Sequence, residues 1–134
     1  MSKQQITSEE YEQFQQLNEQ VDQINKYKSL LSDQIAQIET SINSLNEIKI
    51  SNSNHQILAQ ISNGIFIPAA LQENNKVIIS IGANTAVEKS IPDTIKLLEA
   101  EKVGLTSKII EIEKMLVPLN SELMRIYNEA ENVQ

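Results

Sequence analysis

The sequence has no cysteine and no tryptophan, one histidine, three tyrosines and two phenylalanines among 134 residues. Without thiols there is no disulfide scaffold, no thiol nucleophile and no Cys-containing zinc site, and a lone imidazole starves most metal centres. With so few rings the apolar 40% is aliphatic, which disfavours a thick globular core and favours something elongated. Glycine and proline are scarce as well, three of each, so regular structure meets few interruptions. Positive charge is in deficit: 11 Lys plus Arg face 18 Asp plus Glu, a net charge of −7. A surface of that sign repels phosphate backbones and anionic lipid, so neither nucleic acid nor a membrane is an expected partner. No run approaches the ~18 apolar residues of a spanning helix. The opening Met1-Ser2-Lys3-Gln4-Gln5 carries no apolar stretch of the signal type. A cytoplasmic chain forming one domain over residues 1–134 is expected.

What is present is a heptad pattern, twice. Steps of three and four from Phe14 reach Leu17, Val21, Ile24, Lys28, Leu31, Ile35, Ile38, Ile42, Leu45 and Lys49. The same walk from Ile91 reaches Ile95, Leu98, Lys102, Leu105, Ile109, Ile112, Leu116, Leu119, Leu123, Ile126, Ala130 and Val133. Gln, Asn, Glu, Lys and Ser fill the intervals, so each helix has one narrow apolar edge and needs a partner. Thr7-Ser8-Glu9-Glu10 reads as a capping box, and Ser90-Ile91-Pro92-Asp93 as a second helix start. The expected helices occupy 1–50, from about residue 8, and 91–134, each ~60–65 Å long.

Residues 51–90 have a different texture. Ser51-Asn52-Ser53-Asn54 breaks the helix, and strands are expected over 56–61, 65–71, 76–81 and 85–89. Ser62-Asn63-Gly64, Gln72-Glu73-Asn74-Asn75 and Gly82-Ala83-Asn84 supply the turns, which makes two hairpins. Ile78 interrupts the alternation of Val77, Ile79 and Ile81, so partial cover of its face is expected, and Pro68 should mark an edge or a bulge. The fold class is therefore mainly α with a small β part: an antiparallel coiled-coil hairpin joined by two β-hairpins at its base. In such a pairing, residues whose numbers sum to about 140 share a level, Phe14 with Ile126 and Leu17 with Leu123.

The hairpin segment is neutral and the helical arms acidic. Short aliphatic strands with free edges need covering, so Ile65, Phe66, Ile67, Val77, Ile79, Ile81 and Val87 are candidate assembly residues. At the opposite end, Glu9, Glu10, Glu12, Glu19, Asp22, Glu122, Glu129 and Glu131 crowd around Tyr11, Phe14, Leu17, Leu123, Met124, Ile126 and Tyr127, with Lys3 and Arg125 the local bases. A coiled coil that frays there offers its apolar edge to a third chain, so Tyr11, Phe14, Leu17, Leu123, Ile126 and Tyr127 are the candidate contacts for apolar segments.

Nothing points to chemistry. His55 lies in a turn with no His, Cys or acid close by, and Glu9/Glu12 and Glu111/Glu113 are pairs that solvated helix faces routinely carry. Gly64 and Gly82 belong to no phosphate-binding pattern. No catalytic, metal or cofactor-binding residue is assigned, and no enzyme activity is expected. Lys28, Lys49 and Lys102 in the seam are read as register devices whose ammonium groups reach an edge acid. Pro118 removes a helical hydrogen bond at roughly 3 kcal/mol and should kink the second helix near the tip.

Gly64-Ile65-Phe66-Ile67-Pro68-Ala69-Ala70-Leu71 and Val77-Ile78-Ile79-Ser80-Ile81-Gly82-Ala83-Asn84-Thr85-Ala86-Val87-Glu88-Lys89-Ser90, between equal heptad helices, resemble the alpha-type subunits of prefoldin. The layout matches over nearly the whole chain, the residues over about 56–98. The resemblance implies an ATP-independent chaperone without a cofactor, in a hexamer of two alpha-type and four beta-type subunits built on their hairpins. Such an assembly holds non-native proteins between its coiled-coil tips and passes them to a group II chaperonin. The alternative is a coiled-coil adaptor that docks one folded partner.

Overall fold

A computed structural model describes residues 7–131, excluding the side chain of Glu131. Its elements are α1 (Ser8–Ile50), β1 (Gln56–Ser62), β2 (Ile65–Ala70), β3 (Lys76–Gly82), β4 (Thr85–Ser90) and α2 (Ile91–Glu131). Two long helices thus bracket two small antiparallel hairpins, as the periodicities require. Both helix starts carry the expected caps. Thr7 Oγ1 accepts from the Glu10 amide at 3.0 Å, while Glu10 Oε1 accepts from the Thr7 amide at 3.4 Å. Ser90 Oγ accepts from the Asp93 amide at 3.2 Å.

The chain divides into two compact units. One joins α1 as far as Ile35 to α2 from Val103 onward; the other is Ala36–Lys102. In the first, Val21 and Leu31 of α1 and Ile112 and Leu116 of α2 form the core, with Ile24, Leu105, Ile109, Leu119 and Leu123 packed against it. All are members of the two heptad series. Lys28 reaches Glu113 at 4.0 Å here, and Lys102 reaches Glu39 at 3.2 Å in the other unit, so both seam lysines find an edge acid. Both pairs have residue numbers that add to about 140, the register expected of antiparallel seams.

Two seam expectations need correction or bounding. Lys49 is exposed: the last step is three residues rather than four, so half-buried Ile48 takes the final seam place. Val133 lies outside the described residues, as does Lys3. α2 runs through Pro118 as continuous helix, with the ring on an exposed position.

In the second unit β1 pairs with β2 from Gln56↔Ala70 to Ser62↔Ile65, and β3 with β4 from Lys76↔Ser90 to Gly82↔Thr85. Pro68 sits opposite Leu58 in a two-stranded sheet, where every strand is an edge. Each hairpin has a register shift one residue before the end of its first strand, at Ile61 and at Ile81. Val77 and Ile79 are half-buried, whereas Ile81, at the second shift, is exposed. Ile78 is 77% exposed, so the partial cover expected for it is not provided by the described residues.

The loop between the hairpins is stitched to the end of α1. Asn74 Nδ2 donates to the Ser51 carbonyl at 2.6 Å and the Lys49 carbonyl at 3.4 Å. Ser53 Oγ donates to the Gln72 carbonyl at 2.8 Å, and the Leu71 amide to the His55 carbonyl at 2.8 Å. The Asn74 bonds satisfy carbonyls at the end of α1, and the other two tie the connection between α1 and β1 to the loop between the hairpins. Fully buried Ile91 then closes the module, its amide donating to the Asn75 carbonyl at 2.9 Å.

The second turn is strained at one residue. Ala83 has φ 50° and Asn84 φ 58°, the left-handed pair that suits a two-residue hairpin. Asn tolerates that region; alanine does so at a cost of about 1 kcal/mol. Ala83→Gly is therefore expected to stabilise the chain by up to about 1 kcal/mol, read as a higher urea midpoint with an unchanged slope.

Candidate functional site

The two candidate surfaces follow from which heptad and strand positions the folded chain leaves uncovered. In the first unit, the seam claims part of the proposed tip. Ile126 is 1% exposed and lies inside the seam, and Phe14, Leu17 and Leu123 are half-buried along it. Ile126 therefore supports the tip from within, because its heptad position points at the partner helix. The solvent-facing apolar groups at this end are Tyr11, Met124 and Tyr127. Tyr11 accepts at its hydroxyl from Gln15 Nε2 at 3.2 Å, which aligns the ring along α1. Beside it, an open trough of about 600 Å³ is lined by Tyr11, Phe14, Gln15, Asn18, Glu19 and Asp22. Gln15 and Asn18 had no place among the sequence candidates, since polar residues off the seam carry no pattern.

Charge at this end is organised by Arg125. Its Nε donates to both carboxylate oxygens of Glu122 at 3.1 Å, its Nη2 also contacts Glu122, and its Nη1 donates to Glu129 at 2.8 Å. The hydrogen bond from Arg125 is the main cause that holds the Glu122 carboxyl below its ordinary 4.5, and the same bond raises the Arg125 guanidinium. The arrangement consumes the cation and leaves Glu9, Glu12 and Glu19 facing water. Because the folded value is depressed, any stabilisation from Glu122 is present above pH 4.5 and is lost as pH falls through the lower folded value. Carboxyl carbon NMR is expected to place the Glu122 midpoint under 4.5, and Arg125→Gln to return it toward 4.5.

In the second unit, the candidate assembly residues are mostly open. Ile65, Phe66 and Ile67 are 54%, 52% and 51% exposed, Ile81 61% and Val87 37%, while Val77 and Ile79 are half-buried. Ile57, Leu58, Ile61 and Ile78 are exposed beside them. A cleft of about 450 Å³ runs between Ile57, Ala70 and Leu71 on one side and Lys76, Val77, Ile78 and Glu88 on the other. Strands this apolar on both faces, with unpaired edges, are templates for further strands. His55 is exposed, with its amide and carbonyl engaged by Asn52 and Leu71, and among the described residues no group of His, Asp or Glu is placed to hold a metal ion. Among the described residues no helix is long and apolar enough to cross a membrane.

Paired heptad helices with a conjoined module of exposed aliphatic hairpins define a coiled-coil assembly subunit. The family model described as prefoldin subunit matches residues 8–134, and the chain belongs to the prefoldin family. The family is one of chaperone subunits that form hetero-oligomers with other prefoldin subunits. The prefoldin subunit alpha of Thermofilum pendens is 25% identical over 115 residues, covering 86% of this chain and 87% of the relative. That of Pyrococcus horikoshii is 27% identical over 123 residues, covering 91% and 83%. The cryo-EM structure of filamentous PFD from Methanocaldococcus jannaschii shares the fold, with a TM-score of 0.76 at 19% identity over 90% of this chain and 99% of that one.

Proposed function

We propose that this chain is the alpha-type subunit of an ATP-independent holdase, acting as one functional domain in the cytoplasm. The hairpins build the body of a hexamer with four beta-type subunits, and the tyrosine end of the coiled coil holds non-native proteins for transfer to a group II chaperonin. The observation that carries this reading is the exposure of Tyr11, Met124 and Tyr127, at 53%, 56% and 51%, among carboxylates that Arg125 does not neutralise. Exposed apolar groups bind unfolded segments through many weak, sequence-tolerant contacts, and the surrounding negative charge keeps the loaded complex in solution. Phe14, Leu17, Leu123 and Ile126 form the seam beneath and add surface where the helices part. No residue performs a chemical step in this reading.

The test is light scattering of a chemically unfolded protein diluted into the chain co-assembled with a beta-type subunit. Scattering is expected to fall in proportion to the assembly added, without nucleotide. Scattering unchanged at a molar excess of assembly contradicts the proposal.

A further inference from the structure

Of the three glycines, one follows an asparagine: Asn63-Gly64 is the single Asn-Gly pair in the sequence, and it forms the turn that closes β1 on β2. Both residues are exposed, and the Asn63 side-chain amide has no hydrogen-bond partner among the described residues. Gly64 has φ 78°, a left-handed conformation that glycine adopts freely and a residue with a Cβ resists, so the turn itself asks for glycine after the asparagine. A Cβ built on Gly64 would meet nothing within 4 Å, so the space beside its backbone is open. Two other turn asparagines differ. Asn74 donates its side-chain amide to the Ser51 and Lys49 carbonyls. Asn84, in the matching turn of the second hairpin, precedes Thr85, whose β-branched side chain crowds its own backbone nitrogen. The first hairpin alone joins a free asparagine amide to an unshielded glycine nitrogen.

We propose that Asn63 is a site of spontaneous modification that ends the competence of the subunit to assemble. The Gly64 backbone nitrogen attacks Cγ of Asn63; the N–Cγ bond forms, the Cγ–Nδ2 bond breaks, and ammonia leaves with the proton that the Gly64 nitrogen gives up. Water then opens the cyclic succinimide. Opening at the Cγ carbonyl yields aspartate at position 63. Opening at the backbone carbonyl yields isoaspartate, in which the main chain runs through Cβ and Cγ and is one carbon longer. The aspartate product is an Asp-Gly pair, itself a good hairpin turn, with its carboxylate in water, so it is tolerated. The isoaspartate product is not, because turn length fixes hairpin register, and the register here, Gln60↔Phe66 and Ser62↔Ile65, positions Ile65, Phe66 and Ile67. The consequence for assembly rests on the reading of those three residues as assembly contacts; the chemistry at Asn63 does not.

The test incubates the full-length chain at mildly alkaline pH, where the attacking nitrogen loses its proton more readily, and then mixes it with a limiting amount of fresh beta-type subunit. Methyl transfer from a radiolabelled donor by an isoaspartyl methyltransferase, followed by peptide mapping, locates isoaspartate in the complex and in the free pool. Label is expected at position 63, with labelled chains depleted about tenfold or more in the complex relative to the free pool, the loss that follows when one or two apolar side chains leave an interface. Asn63→Gln, incubated alike, should carry no label in this turn and remain in the complex, and Asn63→Asp should assemble as the fresh chain does. Absence of label at 63, after an incubation in which a peptide of residues 56–70 becomes labelled, overturns the site. Labelled chains equally abundant in the complex and the free pool, or exclusion of Asn63→Asp, overturn the register step. A fresh chain that forms no complex contradicts the assembly reading and removes the exclusion with it, whereas label at 63 in that chain upholds the modification.

Discussion

Deleting residues 1–13 and 127–134 is expected to abolish suppression of client aggregation while the subunit still assembles. The deletion removes Tyr11 and Tyr127, each about half exposed, together with the Thr7/Glu10 cap that holds the first turn of α1. Full burial of an apolar side chain is worth roughly 1.5–3 kcal/mol, so two half-exposed rings contribute about that much together and their loss lowers the apparent client affinity by about tenfold to a hundredfold. The core of the same unit is untouched, because Val21, Leu31, Ile112 and Leu116 all lie inside the retained chain. Light scattering reads the first effect and native mass the second. An adaptor that docks a folded partner would show no suppression for the deletion to remove.

The second large effect is expected from charge placed on the hairpins. Phe66→Asp with Ile81→Asp leaves the isolated chain folded, since both side chains are exposed and neither belongs to the core. Burying either carboxylate against a neighbouring subunit costs several kcal/mol unless a cation meets it, so the pair should weaken assembly by well over a hundredfold. Native mass of the co-expressed complex is expected to show the variant as a free chain with wild-type helical content. A complex of wild-type mass would mean that assembly uses another surface. The two experiments together separate capture from assembly by unit, residues near Tyr11 and Tyr127 for one and β1–β4 for the other.

The elements were legible because their periodicities differ. Aliphatic residues every three or four positions from Phe14 and from Ile91 specify helical seams, and the observed α1 and α2 begin where the Thr7 and Ser90 caps place them. The strands fall within a residue of expectation because Gly64 and the Gly82-Ala83-Asn84 turn mark the hairpin ends. What sequence could not show was the individual hydrogen bond to a partner distant along the chain where no periodicity sets the register. Asn74 reads as a turn residue, and only the fold shows that its amide closes the end of α1, 23 residues earlier at Ser51. The register shifts at Ile61 and Ile81 leave the local sequence pattern unchanged and so are not legible in it. Ile126 satisfies the tip by position and the seam by heptad, and the seam takes it.

The most direct measurement is photo-cross-linking within the assembled complex, from a photoreactive residue placed at Tyr127 in one sample and at Phe66 in another, after loading with a radiolabelled unfolded protein. The expected result is label attached at position 127 and not at 66, with neighbouring subunits attached at 66 and not at 127. Label captured at position 66, or no label at 127 under conditions where aggregation is suppressed, would contradict the assignment of client holding to the tyrosine end and of assembly to the hairpins.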